Sequence, residues 1–202
     1  MQKRTLILPF VFLFFCSAIY AQSNFSFGVK AGANFSTFTG EGADGSDALI
    51  APHAGGLVNF AATNADGFFK YVVQAEILYS MQGVKSGNDK TTLSYINVPI
   101  MVQRYIDASG FYIETGPQAG FLIGAKQKVD GSKTDIKSEL KTFDFSVNFG
   151  LGYRFNQGIG IGARYGLGIT PINKSGSSYD FKNAVISAGL FYVFGSRSWD
   201  YQ

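Results

Sequence analysis

Charged residues are scarce in this chain of 202 residues: Asp, Glu, Lys and Arg make up 15% of it, against about 25% in an ordinary soluble domain. Long apolar runs are missing too, because no stretch after the first 21 residues approaches the 18 apolar residues that indicate a spanning helix. The mean hydropathy is +0.09, which indicates that much of the surface faces something other than water. The 20 Phe and 11 Tyr exclude a disordered chain, since disordered chains are poor in aromatic residues.

Cysteine is almost absent, and the single Cys16 lies in an N-terminal segment ordered like a secretory signal peptide. Lys3 and Arg4 form a basic start, residues 6–15 are nearly all apolar, and small residues lead to Ala21. The apolar run is too short for a membrane-anchoring helix. We therefore predict a signal peptide over residues 1–21, cleaved after Ala21. The mature chain then has no cysteine, and hence no disulfide and no thiolate chemistry.

A surplus of basic charge is also missing once this segment is removed. The formal charge falls from +3 to +1, because two of the 17 basic residues leave with the signal. So small a charge points to no nucleic-acid partner. Residues 158–163 fit a G-x-G-x-x-A pattern, but no helix follows them, so we expect no dinucleotide site and no other cofactor.

Alternation of apolar and polar residues dominates the mature chain, and a period of two is that of a β-strand. Over residues 143–155 the odd positions are Phe, Val, Leu or Tyr, and the even positions are Asp, Ser, Asn, Gly or Arg. The pattern predicts eight strands, near 24–37, 51–62, 68–83, 92–106, 111–126, 142–155, 159–170 and 183–194. The strand at 51–62 has the weakest pattern, and its phase stays open.

The connections between these strands alternate in length, which is typical of outer-membrane barrels. The short ones cover residues 64–67, 107–110 and 156–158. The long ones cover residues 38–50, 84–91, 127–141 and 171–182. Because the short turns of such barrels face the periplasm, we expect both ends of the chain on that side.

The polar face of the strands decides between a soluble and a membrane barrel. It carries nine charged or amide residues: Lys30, Gln74, Glu76, Glu114, Gln118, Asp144, Asn148, Arg154 and Arg164. These groups cannot line the dry interior of a soluble barrel without a large desolvation cost, but they can line a polar lumen whose outer face contacts lipid. The sheet must then close, because lipid cannot satisfy an open edge. The sequence therefore predicts an all-β, eight-stranded antiparallel up-and-down transmembrane β-barrel over residues 22–194, with a short tail at 195–202.

Five stretches carry a family resemblance in their order and spacing: Gly28–Asn34, Glu76–Gly83, Tyr95–Pro99, Phe111–Gly120 and Gly150–Phe155. They resemble the outer-membrane β-barrel domain proteins often labelled porin family, common in Bacteroidetes-type bacteria. The architecture is similar to that of the small OmpA- and OmpX-type barrels. The resemblance implies the fold, an outer-membrane location and insertion by the barrel-assembly machinery, but no activity. Such barrels usually end on the final aromatic residue, here Phe194, and the tail departs from that pattern.

The inward charges are the most specific chemical feature of the pattern. The interior of an eight-stranded barrel is only just wide enough for side chains to fill it, and buried charges normally pair. We therefore predict an interior ion-pair cluster of Glu114, Arg154 and Arg164, with Glu76 as a fourth member. A structural role is the main interpretation, and a gated ion path is the alternative.

Two further features have candidate roles. Six inward glycines are expected to make room for long side chains opposite, such as Tyr95, Tyr112 or Met101; they are Gly150, Gly152, Gly160, Gly162, Gly166 and Gly168. In the third long loop, Lys128, Lys133 and Lys137 are candidate contacts for the phosphates of lipopolysaccharide, since cations are attracted to anionic headgroups. A solvated loop of mixed charge is the alternative for these lysines.

No catalytic or metal-binding set emerges from the sequence. His53 is the only histidine, and no nucleophile, base and orienting group can be assigned around it. The acids of the first long loop do not have EF-hand spacing. The sequence therefore predicts an integral outer-membrane barrel with a structural or surface-interaction role, surrounded by outer-membrane lipid and lipopolysaccharide. A narrow passive channel is the first alternative, and an outer-membrane enzyme is the second.

Overall fold

A computed structural model describes residues 25–40, 47–63, 70–106, 109–174 and 180–194. The predicted signal peptide at 1–21 and the tail at 195–202 lie outside these residues. The strands are β1 (Phe25–Thr39), β2 (Asp47–Thr63), β3 (Lys70–Ser86), β4 (Asp89–Ile106), β5 (Phe111–Val129), β6 (Ser132–Asp135), β7 (Phe143–Arg154), β8 (Ile159–Gly168) and β9 (Lys182–Val193). A 3-10 turn at Lys137–Glu139 follows the short strand β6.

The eight long strands close into one barrel. Each pairs antiparallel with the long strand that follows it, and β9 pairs with β1 through residues 28–39 and 182–193. The short β6 forms a hairpin with the end of β5. The predicted eight-stranded antiparallel barrel is therefore confirmed, and closure leaves none of the eight with an open edge toward lipid. The described part of the chain holds no helix that is long and apolar enough to cross a membrane.

The two ends of the barrel differ, and we name them by their connections. The short-turn end carries the connections at 64–69, 107–110 and 155–158, and the loop end carries those at 40–46, 130–142 and 169–181. Within these connections, residues 41–46, 64–69, 107–108 and 175–179 lie outside the described residues, and 64–69 include the short turn predicted at 64–67. The long loop predicted at 84–91 is wrong, because β3 and β4 run on and only residues 87–88 join them. Gly87 takes a positive φ of 56° there, which a tight turn requires and glycine adopts without strain.

The two faces of the wall have opposite polarity, as the alternation predicts. Large apolar side chains such as Ile77, Phe149 and Leu190 are exposed on the outside. Of the nine polar residues predicted to point inward, eight are buried and Gln118 is half-buried. The structure also settles the phase of β2. Leu57 and the residues an even number of positions away from it on β2 face the lumen, whereas Phe60 faces outward.

Aromatic pairs mark the outer wall at the short-turn end. Phe25 packs on Phe60 with ring centroids 5.1 Å apart. Two edge-on pairs lie at the ends of β7 and β9, namely Tyr153 with Phe155 and Tyr192 with Phe194. Aromatic side chains at this position match the interfacial girdle of outer-membrane barrels, so the membrane boundary lies near these rings.

Candidate functional site in the barrel lumen

An ion cluster crosses the middle of the lumen. Arg164 on β8 reaches Glu76 on β3, which lies on the opposite wall, through Nη1 to Oε2 at 2.8 Å and Nη2 to Oε1 at 2.6 Å. The same guanidinium binds Glu114 on β5 through Nε, and through Nη2 to Oε2 at 3.1 Å. Lys30 on β1 adds a fourth charge, with its Nζ 3.4 Å from Glu76 Oε1. Two cations and two anions therefore neutralise one another across the barrel.

Amide side chains fill the remaining positions around the cluster. Gln74 donates a hydrogen bond to Glu76 Oε1. Gln103 donates to Gln74 Oε1 at 3.1 Å and to Glu114 Oε2 at 3.0 Å. Each carboxylate is thus held by the arginine and by an amide, so that the charges are both paired and hydrogen-bonded. Without such partners, charges this deeply buried would strongly destabilise the fold.

The structure brings together three of the four residues predicted for this cluster, Glu76, Glu114 and Arg164, and it adds Lys30. Arg154 is buried in the lumen as well, but it lies at a different position along the barrel axis from Arg164. Gly150, which pairs in register with Arg164, lies four residues before Arg154 on β7. Arg154 therefore lies closer to the short-turn end. The alternation of residues along β1 predicts that Lys30 points into the lumen. It does not predict which residue Lys30 pairs with.

An apolar plug closes the lumen at the short-turn end. It consists of Leu57, Tyr105, Tyr112, Phe191 and Val193. The ring of Tyr112 lies 5.2 Å from that of Tyr105 and 6.4 Å from that of Phe191, measured between centroids. Because β4 and β9 stand on opposite walls, these rings span the lumen from side to side.

Three of the six inward glycines, Gly152, Gly160 and Gly162, face the rings of the plug, whereas the other three lie against residues of the ion cluster or of the cavity nearer the loop end. A Cβ on Gly152 would lie 2.3 Å from the Tyr112 hydroxyl, and one on Gly160 would lie 2.0 Å from Cζ of Phe191. Of the large side chains expected to use this space, Tyr112 does so. The second ring against these glycines belongs to Phe191, rather than to Tyr95 or Met101.

Gly160→Ala is expected to lower the free energy of unfolding by about 1–3 kcal/mol, because the new methyl group overlaps the buried ring of Phe191. Gly56→Ala is the matched control, since a Cβ there would have only the Gly28 carbonyl oxygen near it, at 3.9 Å. Urea titration followed by the gel mobility of the folded barrel measures both variants. The double variant with Phe191→Leu should recover stability. Equal costs for the two glycine variants would contradict the packing described here.

A small polar cavity lies between the ion cluster and the loop end. Its volume is about 40 Å³, and its lining includes Asn34, Gln82, Asn97, Asn148 and Asn183. A cavity needs about 10–15 Å³ to hold one water molecule, so this one has room for a few waters. Amide and hydroxyl groups on every side offer those waters hydrogen bonds.

His53 lies within β2, and its side chain lines this cavity. It is 4% exposed, and its Nδ1 donates a hydrogen bond to Asn34 Oδ1 at 2.9 Å. Asn34 in turn donates to Ser80 Oγ at 2.9 Å. Because the amide stands between His53 and the serine, the described residues bring no hydroxyl nucleophile onto the imidazole. No group of three metal-binding side chains occurs in the described ranges either.

An apolar lid, which the sequence analysis does not predict, covers the lumen at the loop end. Its buried members are Leu93, Tyr95, Leu122, Ala125 and Ile172, with Phe38, Ile136, Leu140 and Phe181 packed against them. Backbone bonds tie the covering segments together, from Lys141 N to Ile172 O at 2.8 Å and from Ile172 N to Phe181 O at 2.8 Å. The feature of the sequence that could have indicated a lid is the presence of isolated apolar residues, such as Ile136 and Ile172, in otherwise polar loops.

The predicted lipid-contact lysines lie on three different elements at the loop end. Lys128 on β5 and Lys133 on β6 are directly opposite each other in register. Lys137 begins the 3-10 turn, and its backbone N–H donates to Asp135 Oδ1 at 2.9 Å. All three side chains are exposed.

Comparison with solved structures finds the same architecture. Neisserial surface protein A is 15% identical, with a TM-score of 0.51 over 82% of this chain and 96% of that protein. Ail, the attachment invasion locus protein of Yersinia pestis, is 16% identical and has a TM-score of 0.42 over 86% of this chain and 100% of Ail. Its complex with the heparin analogue sucrose octasulfate gives 0.40 at 16% identity, over 85% of this chain and 99% of Ail. No curated protein sequence matches significantly.

The family comparison covers most of the chain. A family described as outer membrane protein beta-barrel domain matches residues 20–174, which include β1 through β8. The closed barrel, its apolar outer wall and its polar lumen are the structural counterpart of that match. The chain belongs to the outer membrane protein β-barrel domain family.

Proposed function

We propose that this protein is an outer-membrane barrel with an occluded lumen that serves a structural or surface-interaction role. One observation carries the proposal: side chains from opposite walls meet at three levels of the barrel. The plug spans β4 to β9, the ion cluster spans β3 to β8, and the lid joins β1 to β4 and β5. A passive channel requires a continuous water path along the barrel axis. Each of the three levels places side chains across that path.

The outer surface of the barrel also supports a structural or surface-interaction role. A barrel that does not conduct interacts through its lipid-facing wall and its loop end. The girdle of aromatic pairs lies at the short-turn end, where we place the periplasmic side and both chain termini. The barrel-assembly machinery would then insert the chain with its longer connections outward. Outer-membrane lipid and lipopolysaccharide are the partners that surround such a wall, and contact with them involves the exposed lysines of the loop end.

Planar-bilayer recordings test the occluded lumen directly. The purified, folded protein is expected to give no steady open-state conductance, because the plug, the ion cluster and the lid cross the lumen one after another. Heat-modifiable migration on gels, read on the same sample, confirms that the recorded protein is folded. A steady, reproducible conductance from folded protein would support the channel alternative instead.

A further inference from the structure

Four lysines form one continuous row across the loop end of the barrel. Lys85 on β3 is directly opposite Lys90 on β4, Lys90 is opposite Lys128 on β5, and Lys128 is opposite Lys133 on β6. We call this set the lysine row. Its only direct acidic neighbour in the described register is Asp47, which lies opposite Lys85. The sequence suggested Lys128 and Lys133 as cationic contacts, and the register adds Lys85 and Lys90.

The lysine row faces outward, on the same side of the wall as the lipid-facing residues. Lys90 is an even number of positions from the outward-facing Ile100, and Leu93 and Tyr95 between them point into the lumen. On β5, a bulge opposite Ser94 and Tyr95 shifts the alternation by one residue, so Lys128, the register partner of Lys90, also faces outward. It stands five residues beyond the lipid-facing Ile123. With a rise of about 3.4 Å per residue and a strand tilt of about 40°, that is about 13 Å further along the barrel axis. A lysine side chain can swing back along the wall from there, so the ammonium groups reach the headgroup layer.

Three consecutive pairs of like charges are unfavourable in a sheet by themselves. Directly opposed like charges destabilise a strand pair, and the three lysine pairs of this row lie side by side. Asp47 faces only the first lysine of the row, Lys85, so the two central lysines, Lys90 and Lys128, have only other lysines directly opposite them. An anionic ligand that bridges adjacent lysines would convert this repulsion into attraction.

We propose that the lysine row is a binding site for the phosphate groups of an outer-leaflet glycolipid, the phosphorylated headgroup of lipopolysaccharide. The outward direction of the row selects a lipid source over a soluble polyanion, because the side chains project over the membrane and not toward the barrel axis. Ammonium groups bind phosphates as point charges, and a row with the spacing of neighbouring strands suits a headgroup with more than one phosphate. This site rests on the proposed placement of the loop end at the outer leaflet.

K90Q/K128Q tests the row with two substitutions at its centre. In nanodiscs of zwitterionic lipid the variant is expected to be at least as heat-stable as the parent protein, because all three repulsive pairs are relieved. When bis-phosphorylated lipid A is added to the discs, the parent gains stability and the variant loses most of that gain. Since each cation near an anionic surface contributes about 5-fold to binding, lipid A should bind K90Q/K128Q roughly 25-fold more weakly in a titration of the detergent-solubilised barrel.

The control is K141Q/K182Q, which removes the same charge from the same end of the barrel, but at two half-buried lysines outside the row. It should bind lipid A like the parent protein. Equal loss in both double variants, an unchanged stability gain in K90Q/K128Q, or an equal gain from dephosphorylated lipid A would each overturn the proposal. Tighter binding of soluble polyphosphate than of lipid A would also overturn it, in favour of a soluble polyanion. Conductance recorded on the same samples separates the two proposals, because an open pore would contradict only the occluded lumen.

Discussion

Arg164→Met is expected to lower the free energy of unfolding by about 3–5 kcal/mol, the typical cost of removing one partner from a buried ion pair. The arginine makes four hydrogen bonds to two carboxylates, Glu76 and Glu114. Without it, two negative charges share a buried site in which Lys30 is the one cation left in the cluster, at 3.4 Å from Glu76. The loss therefore includes repulsion between the two carboxylates as well as their missing hydrogen bonds.

A charge-balanced variant separates these contributions. Combining Arg164→Met and Lys30→Met with Glu76→Gln and Glu114→Gln removes both cations and both anions, and leaves amides that still bond to Gln74 and Gln103. Replacing a whole buried ionic set by neutral groups is often close to neutral for stability, so this quadruple variant should recover most of the loss. Urea titration, followed by the mobility of folded and unfolded barrel on gels, measures both. A single variant as stable as the parent, or a quadruple variant less stable than the single, would contradict a structural role for the cluster.

The cluster also shows which part of the site the sequence predicts. Alternation assigns Glu76, Glu114 and Arg164 to the inner face, because parity along each strand decides the face. Alternation does not predict the position of a residue along the barrel axis. That position relative to another residue depends on the register of every strand pair between the two. Arg164 and Glu76 meet across the lumen with β9, β1 and β2 between them on one side. For this reason Lys30 replaces Arg154 as the second cation next to Glu76, although both have inward parity.

The ends of the barrel were harder to predict than its middle, for a related reason. Within the lipid band one face of a strand must be apolar and the other polar, which produces the alternation. Beyond the band both faces meet water, so β3 and β4 continue to Ser86 and Asp89 without that pattern. The prediction of a long loop at 84–91 failed there, and the lysine row on this extension appears only once register is known. The lid residues are likewise too widely separated in sequence to form a pattern.

Tyr112→Ala is expected to lower the free energy of unfolding by about 3–5 kcal/mol, because it leaves a cavity in the centre of the plug. Tyr112 is 2% exposed, and its ring packs between those of Tyr105 and Phe191. Tyr192→Ala is the matched control, since that ring lies on the outer wall and is 41% exposed. Truncating it should cost clearly less in the same urea titration.

Conductance provides the second measurement on Tyr112→Ala. Because the ion cluster and the lid still cross the lumen, the variant should remain silent in planar bilayers even though its plug is incomplete. We therefore expect Tyr112→Ala to lose stability without gaining conductance, because the ion cluster and the lid each still cross the lumen. A steady current from Tyr112→Ala would show that the plug alone closes the lumen, and a cost no larger than that of Tyr192→Ala would show that the plug is not tightly packed.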